Sequence, residues 1–146
     1  MTRPAKRKRT VRLKTSGKGI GQTMGPLETE IMELLWKKSP SSVRDIYERL
    51  LDDRRIAYTT VMTVLNRLFE KGLLERSQEG RAYLYSPVQT REEYCSETIR
   101  TVVQGLLSGF GEPVLHHFVD TVNEHDDAEL DELVRIIEEK KQADSR

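Results

Sequence analysis

Tyr58-Thr59-Thr60-Val61-Met62-Thr63-Val64-Leu65-Asn66-Arg67-Leu68-Phe69-Glu70-Lys71-Gly72 reads as one helix with two faces. Val61, Val64, Leu65, Leu68 and Phe69 recur at i, i+3, i+4, i+7 and i+8, a single apolar stripe that must be buried. Thr60, Thr63 and Arg67 lie on another side, two short hydrogen-bonding side chains and one long cation. Gly72, just past the last apolar residue, suits a left-handed cap, and Lys71 complements the negative end of the helix dipole. Threonine is poor helix material because branching at Cβ restricts its rotamers. Two readings of the polar face are open: a surface that uses its threonines for contact, or an exposed face that merely tolerates them.

Upstream, Gly25-Pro26 opens a first helix, since the missing N–H of proline goes unused at the first position. Leu27, Ile31, Leu34 and Leu35, joined by Trp36, make its stripe, and Glu28 and Glu30 favour the positive end of its dipole. Ser39-Pro40 ends it. Ser41 or Ser42 caps a second helix, with Asp45 three residues after Ser42 in a near match to a capping box. Val43, Ile46, Tyr47, Leu50 and Leu51 repeat the stripe, and Asp52-Asp53-Arg54-Arg55 breaks it. After Gly72 the period changes. Leu74 to Ser77 and Arg81 to Ser86 read as the strands of a hairpin joined around Gln78-Glu79-Gly80, and Pro87 ends it.

Three short helices joined by polar turns can bury their stripes only against one another. Three helices and then a two-stranded hairpin is the order of a winged helix-turn-helix. The expected fold is therefore mainly α with a small β-hairpin wing. In such folds the third helix enters the major groove, where each base pair shows a distinct donor and acceptor pattern. Threonine offers a hydroxyl and a methyl to that pattern, and arginine can grip guanine or a phosphate. The candidate DNA-contacting residues are Thr59, Thr60, Met62, Thr63 and Arg67 on the helix, with Arg76 and Arg81 expected near the hairpin tip. For Arg76 and Arg81 taken singly, a solvated surface charge is an equal reading.

Residues 89–146 differ in kind. Cys95, Thr98, Ile99, Val102, Val103, Leu106 and Leu107 line a long helix, which Ser108-Gly109-Phe110-Gly111-Glu112-Pro113 breaks. Val114, Leu115, Phe118, Val119 and Val122 mark a second helix. Asp126 or Asp127 caps a third, which carries Leu130, Leu133, Val134, Ile136 and Ile137. So short a segment cannot hide this much apolar side chain by itself, and a second copy is the simplest partner. The residues expected at that joint are Ile99, Val102, Val103, Leu106, Leu107, Val114, Leu115, Phe118, Val122, Leu130, Leu133 and Ile137. The expected division is thus a disordered basic tail over 1–25, a winged-helix domain over 26–88 and a three-helix dimerisation domain over 89–146.

The formal net charge of the 146 residues is zero, but its distribution is not even. Residues 1–25 carry eight cations and no acid, residues 26–88 ten of each, and residues 89–146 six cations against fourteen acids. The basic start reads as an arm along phosphates or as a solvated tail. Met24 offers a second possible translation start just before the first structured signal. The acidic end argues against DNA contact by that half, because phosphates would repel it. A single cysteine, Cys95, excludes an internal disulfide framework and fits a reducing cytosol. No apolar run reaches the roughly 18–20 residues of a membrane span, and the basic tail has no apolar segment behind it, so the expected place is the cytoplasm, without membrane insertion. Cys95, His116, His117 and His125 match no common metal-ligand spacing. No catalytic triad, metal set or phosphate loop can be picked out, so neither an enzyme nor a cofactor is expected. The rival reading is a winged-helix adaptor that binds protein and not DNA.

Several motifs in order carry a resemblance. They are Leu27-Glu28, Ile31-Met32 and Leu34-Leu35-Trp36, then Ala57 to Leu68, then Lys71-Gly72-Leu73, then Gly80-Arg81-Ala82-Tyr83 with Tyr85 and Pro87. Together they resemble the BlaI/MecI/CopY family of penicillinase repressors over roughly residues 26–140, most closely from 26 to 88. The resemblance implies a homodimeric repressor, a winged helix on each half-site of a double-stranded operator, and a helical dimerisation domain behind it. It places Thr60, Thr63 and Arg67 on the DNA-reading helix. The copper-responsive branch carries a cysteine-rich C-terminal motif, from which this chain departs. In the antibiotic-responsive branch a membrane sensor-protease signals and an Asn-Phe bond is cut. The matching pair here is His117-Phe118, which keeps the phenylalanine and lacks the asparagine.

Overall fold

The computed structural model describes residues 11–14 and 18–145. Proline at the first helical position starts α1 (Pro26–Lys37) directly after Gly25. Strand β1 is only Ser41–Ser42. Ser42 then caps α2 (Val43–Leu51): its hydroxyl accepts from the Asp45 N–H, and the Asp45 carboxylate accepts from the Ser42 N–H. That backbone N–H, and then the serine hydroxyl, hold the Asp45 carboxyl below its usual pKa. Arg49 of α2 donates to the Leu34 carbonyl and to Ser41 Oγ at 3.1 and 2.6 Å, so it ties the open end of α1 to β1. Leu51, read as part of the α2 stripe, is exposed in the last turn.

Helix α3 spans Tyr58–Glu70. Beyond its end Gly72 takes φ +81°, the Gly72 N–H bonds to the Phe69 carbonyl, and the Leu73 N–H bonds to the Leu68 carbonyl. This is a Schellman cap, and its left-handed residue is strained for any side chain with a Cβ. Strands β2 (Leu74–Glu79) and β3 (Ala82–Pro87) pair antiparallel from Leu74↔Pro87 to Glu79↔Ala82. β2 is longer than the sequence suggests, β3 is shifted by one residue to include Pro87, and the turn is Gly80-Arg81, with Gly80 at φ +62°. β1 joins the other edge of β3, which makes a three-stranded sheet in the order β1-β3-β2. Two residues show no period, so β1 is silent in the sequence.

Ile31, Met32 and Leu35 of α1, Ile46 and Leu50 of α2, and Val61, Val64, Leu65, Leu68 and Phe69 of α3 form one core with Leu74 and Tyr85. Full burial of one such side chain stabilises by roughly 1.5–3 kcal/mol. Packing of this stripe, more than helix propensity, holds the threonine-bearing α3 in place. Ile20 and Met24 are buried in the same core, and Gly19–Gln22 forms a 3-10 turn. Thr23 Oγ1 lies 2.9 Å from the Tyr94 hydroxyl. The chain is therefore built into the domain from about residue 18, which differs from the disordered tail expected over 1–25. Residues 1–10, with Arg3, Lys6, Arg7, Lys8 and Arg9, lie outside the described residues.

Helices α4 (Arg91–Phe110), α5 (Pro113–His125) and α6 (Asp127–Asp144) follow. The Asp126 carboxylate caps α6 by accepting from the Ala128 N–H. The chain divides into two compact units at Arg100/Thr101, inside α4. The start of α4 packs with the first unit, well past the expected boundary at 88: the Tyr94 ring packs tilted against Trp36, centroids 5.5 Å apart, and is buried, as is Thr98. In the second unit α5 and α6 pack on each other, and none of its described residues is buried.

Candidate nucleic-acid interface

The buried stripe of α3 fixes what the opposite side presents. Thr59, Thr60, Met62, Thr63, Asn66 and Arg67 are all exposed, and Met62 keeps 46% of its surface free. Thr59, Met62, Thr63 and Asn66 fall at i, i+3, i+4 and i+7, one continuous strip. Thr63 donates its hydroxyl to the Thr59 carbonyl at 2.8 Å, so outward it offers lone pairs and a methyl. Tyr58 braces the start of the helix edge-to-face on Tyr47 at 5.4 Å.

Arg67 points toward α1. Its Nη1 lies 3.8 Å from the Glu28 carboxylate, and Lys71 Nζ meets both oxygens of that carboxylate at 3.1 Å. Between Gly25–Glu28 and the Thr59–Arg67 side of α3 runs an open groove of about 440 Å³. In the sequence Glu28 reads only as a first-turn acid; nothing local announces that it faces Arg67 of α3 and Lys71 just past the end of that helix. The sequence reading leaves Asn66 out of this exposed strip, although its i+4 spacing from Met62 marks it.

The two wing arginines separate. Arg81 is exposed in the turn itself. Arg76 is not near the tip: it stands opposite Tyr85 within the ladder and is half-buried. Its guanidinium lies over the Phe69 ring at 4.0 Å and the Tyr83 ring at 4.3 Å, and donates to Asn66 Oδ1 at 3.2 Å. Its Nε is buried with no hydrogen-bond partner, and the ring faces are its neighbours. This arginine joins the wing to α3. Arg76→Met keeps the stem and removes the cation, and should lower stability by about 1 kcal/mol. Denaturant midpoints measure this, and an unchanged midpoint would mean the stacked cation contributes nothing.

In the second unit Val102, Val114, Val122, Leu130 and Leu133 are half-buried. Val103, Leu106, Leu107, Leu115, Phe118 and Ile137 are exposed in the single chain, as is Ile99 at the end of the first unit. His117 is exposed beside Phe118 in the middle of α5. Among the described residues no group of three His, Cys, Asp or Glu side chains could hold a metal ion, and no helix is long and apolar enough to cross a membrane.

The penicillinase repressor family model matches residues 24–139. The transcriptional regulator BlaI of Mycobacterium tuberculosis H37Rv is 40% identical over 101 residues, 68% of this chain and 73% of that protein. The penicillinase repressor of Bacillus licheniformis is 26% identical over 114 residues, 78% of this chain and 88% of that one. The solution structure of the DNA-binding domain of the repressor BlaI aligns with a TM-score of 0.45 at 30% identity, over 49% of this chain and 87% of that one.

Proposed function

We infer the function from one premise: this chain belongs to the penicillinase repressor family, and so to transcriptional repressors that bind DNA and are not enzymes. On our reading it acts in the bacterial cytoplasm as a homodimer. Each copy sets α3 in the major groove of one half of a two-fold symmetric, double-stranded operator. Thr59, Thr60, Met62, Thr63 and Arg67 face base edges, and Arg81 at the wing turn reaches the backbone. Arg76 holds the wing against the reading helix. The observation that carries this is the exposed strip of α3, polar except for Met62, along a helix whose other side is wholly committed to the core.

The apolar side chains left exposed from Ile99 to Ile137 are the surface that a second copy covers. Release by proteolysis or another stress signal completes the cycle. A cut at His117-Phe118 requires α5 to open locally, because a protease needs extended chain and this bond lies inside a helix. A membrane sensor-protease is the partner such a cut calls for.

The test is enrichment from a random duplex pool, followed by footprinting and stoichiometry. The expected result is a palindromic site with half-site centres about one or two helical turns apart, holding two chains. Equal binding to every duplex would reject operator recognition and favour the protein-binding adaptor.

A further inference from the structure

Glu28 is 9% exposed, yet among the described residues it is the only acid lining the groove beside α3. The ends of Arg67 and Lys71 close on it from the reading helix, and their side chains remain 55% and 49% exposed. A carboxylate accepting two charge-assisted bonds from one ammonium holds that ammonium firmly. Free of it, Lys71 would be one turn beyond Arg67 and available to any phosphate, and phosphate contacts add affinity without sequence information. The carboxylate also repels a phosphate that enters the groove.

We propose that Glu28 is a positioning residue for the reading helix: it restrains Arg67 and holds Lys71 off the phosphates, and so sets the preference for the operator over other DNA. The inference rests on the DNA-binding reading above. Specificity is a difference of affinities, and a restraint on non-specific binding raises it as surely as a new base contact does.

The experiment compares wild type, Glu28→Gln, Lys71→Gln and the double variant. The probes are a duplex enriched by the wild-type protein and a scrambled duplex of equal composition, each over a range of salt. Glu28→Gln keeps size and an acceptor but removes the charge. Its affinity for the scrambled duplex should rise, and the operator-to-scrambled ratio should fall roughly tenfold. The salt slope should steepen by about 0.9 for every further phosphate that the protein neutralises. Lys71→Gln alone should leave the slope unchanged, and in the double variant it should remove the added affinity. A lowered melting temperature with ratio and slope unchanged would make Glu28 a purely structural residue and overturn the proposal. If Glu28→Gln does not fold, Lys71→Gln decides: a slope shallower by about 0.9 means that Lys71 already touches phosphate, which also overturns it. A wild-type protein that enriches no duplex sinks the DNA reading itself. Enrichment with Glu28→Gln folded and both its ratio and its slope unchanged sinks only this inference.

Discussion

Phe118→Ala is expected to leave the winged domain folded and to make operator binding steeply dependent on protein concentration. Phe118 keeps 56% of its surface exposed in the single chain, in the middle of α5. Val114 and Leu115 stand one turn before it and Val122 one turn after. None of the described residues from Thr101 onward is buried, so this unit has apolar surface and no closed core of its own. A second copy can complete that core, and a large aromatic near its middle would then be buried. Loss of a fully buried phenylalanine costs about 3–5 kcal/mol. Here the loss falls on association, because in the single chain the ring is already in water. On the proposed reading one winged domain covers one half-site, so operator affinity should depend on two domains being held together. Binding should collapse at low concentration and recover at high concentration as mass action refills the dimer. Sedimentation and operator titration of Phe118→Ala measure both quantities. A variant that remains a tight dimer would remove Phe118 from the joint. His117→Asn, run beside it, asks whether the missing asparagine is what keeps a sensor-protease of the family from cutting here.

The parts of the fold that were legible have a local cause. The α3 stripe recurs with the helical period, and all five of its residues are buried. The Ser42–Asp45 capping box and the Gly72 cap were legible because each is fixed by residues within a few positions of one another. What was missed joins distant positions. Ile20 and Met24 sit among glycines and polar residues with no period, and only the assembled core gives them a place. The position of Arg76 depends on strand register, which a short hairpin leaves open until the turn is placed at Gly80-Arg81. Glu28 meets Arg67 and Lys71 only because α1 and α3 pack side by side. In the second unit the surplus of apolar residues was plain from composition. Half of α4 nevertheless belongs with the first unit, because Tyr94 finds Trp36 and Thr23 there.

Arg67→Ala should lower operator affinity by about 1–3 kcal/mol and leave the helical content unchanged. The α3 fold does not depend on this side chain, since the guanidinium is more than half exposed and the helix is held by Val61, Val64, Leu65, Leu68 and Phe69. Its contact with Glu28 at 3.8 Å is too long for a hydrogen bond and the guanidinium is largely solvated, so the pair contributes little to stability. What the substitution removes is a cation carried on the exposed side of the helix, one turn beyond Thr63. If that cation grips a base edge, the loss concentrates at one position of the operator, and changing that base pair in the wild-type site should cost the same amount. If it only touches phosphate, binding weakens alike on every sequence and the salt slope becomes shallower by about 0.9. Titration against the enriched duplex and its single-base variants separates the two. Equal affinity of Arg67→Ala and wild type on the enriched duplex would exclude Arg67 from contact. If Thr63→Val is equally silent, α3 is not the reading helix, because no other pair on its exposed side joins a long cation to a hydrogen-bonding side chain one turn before it.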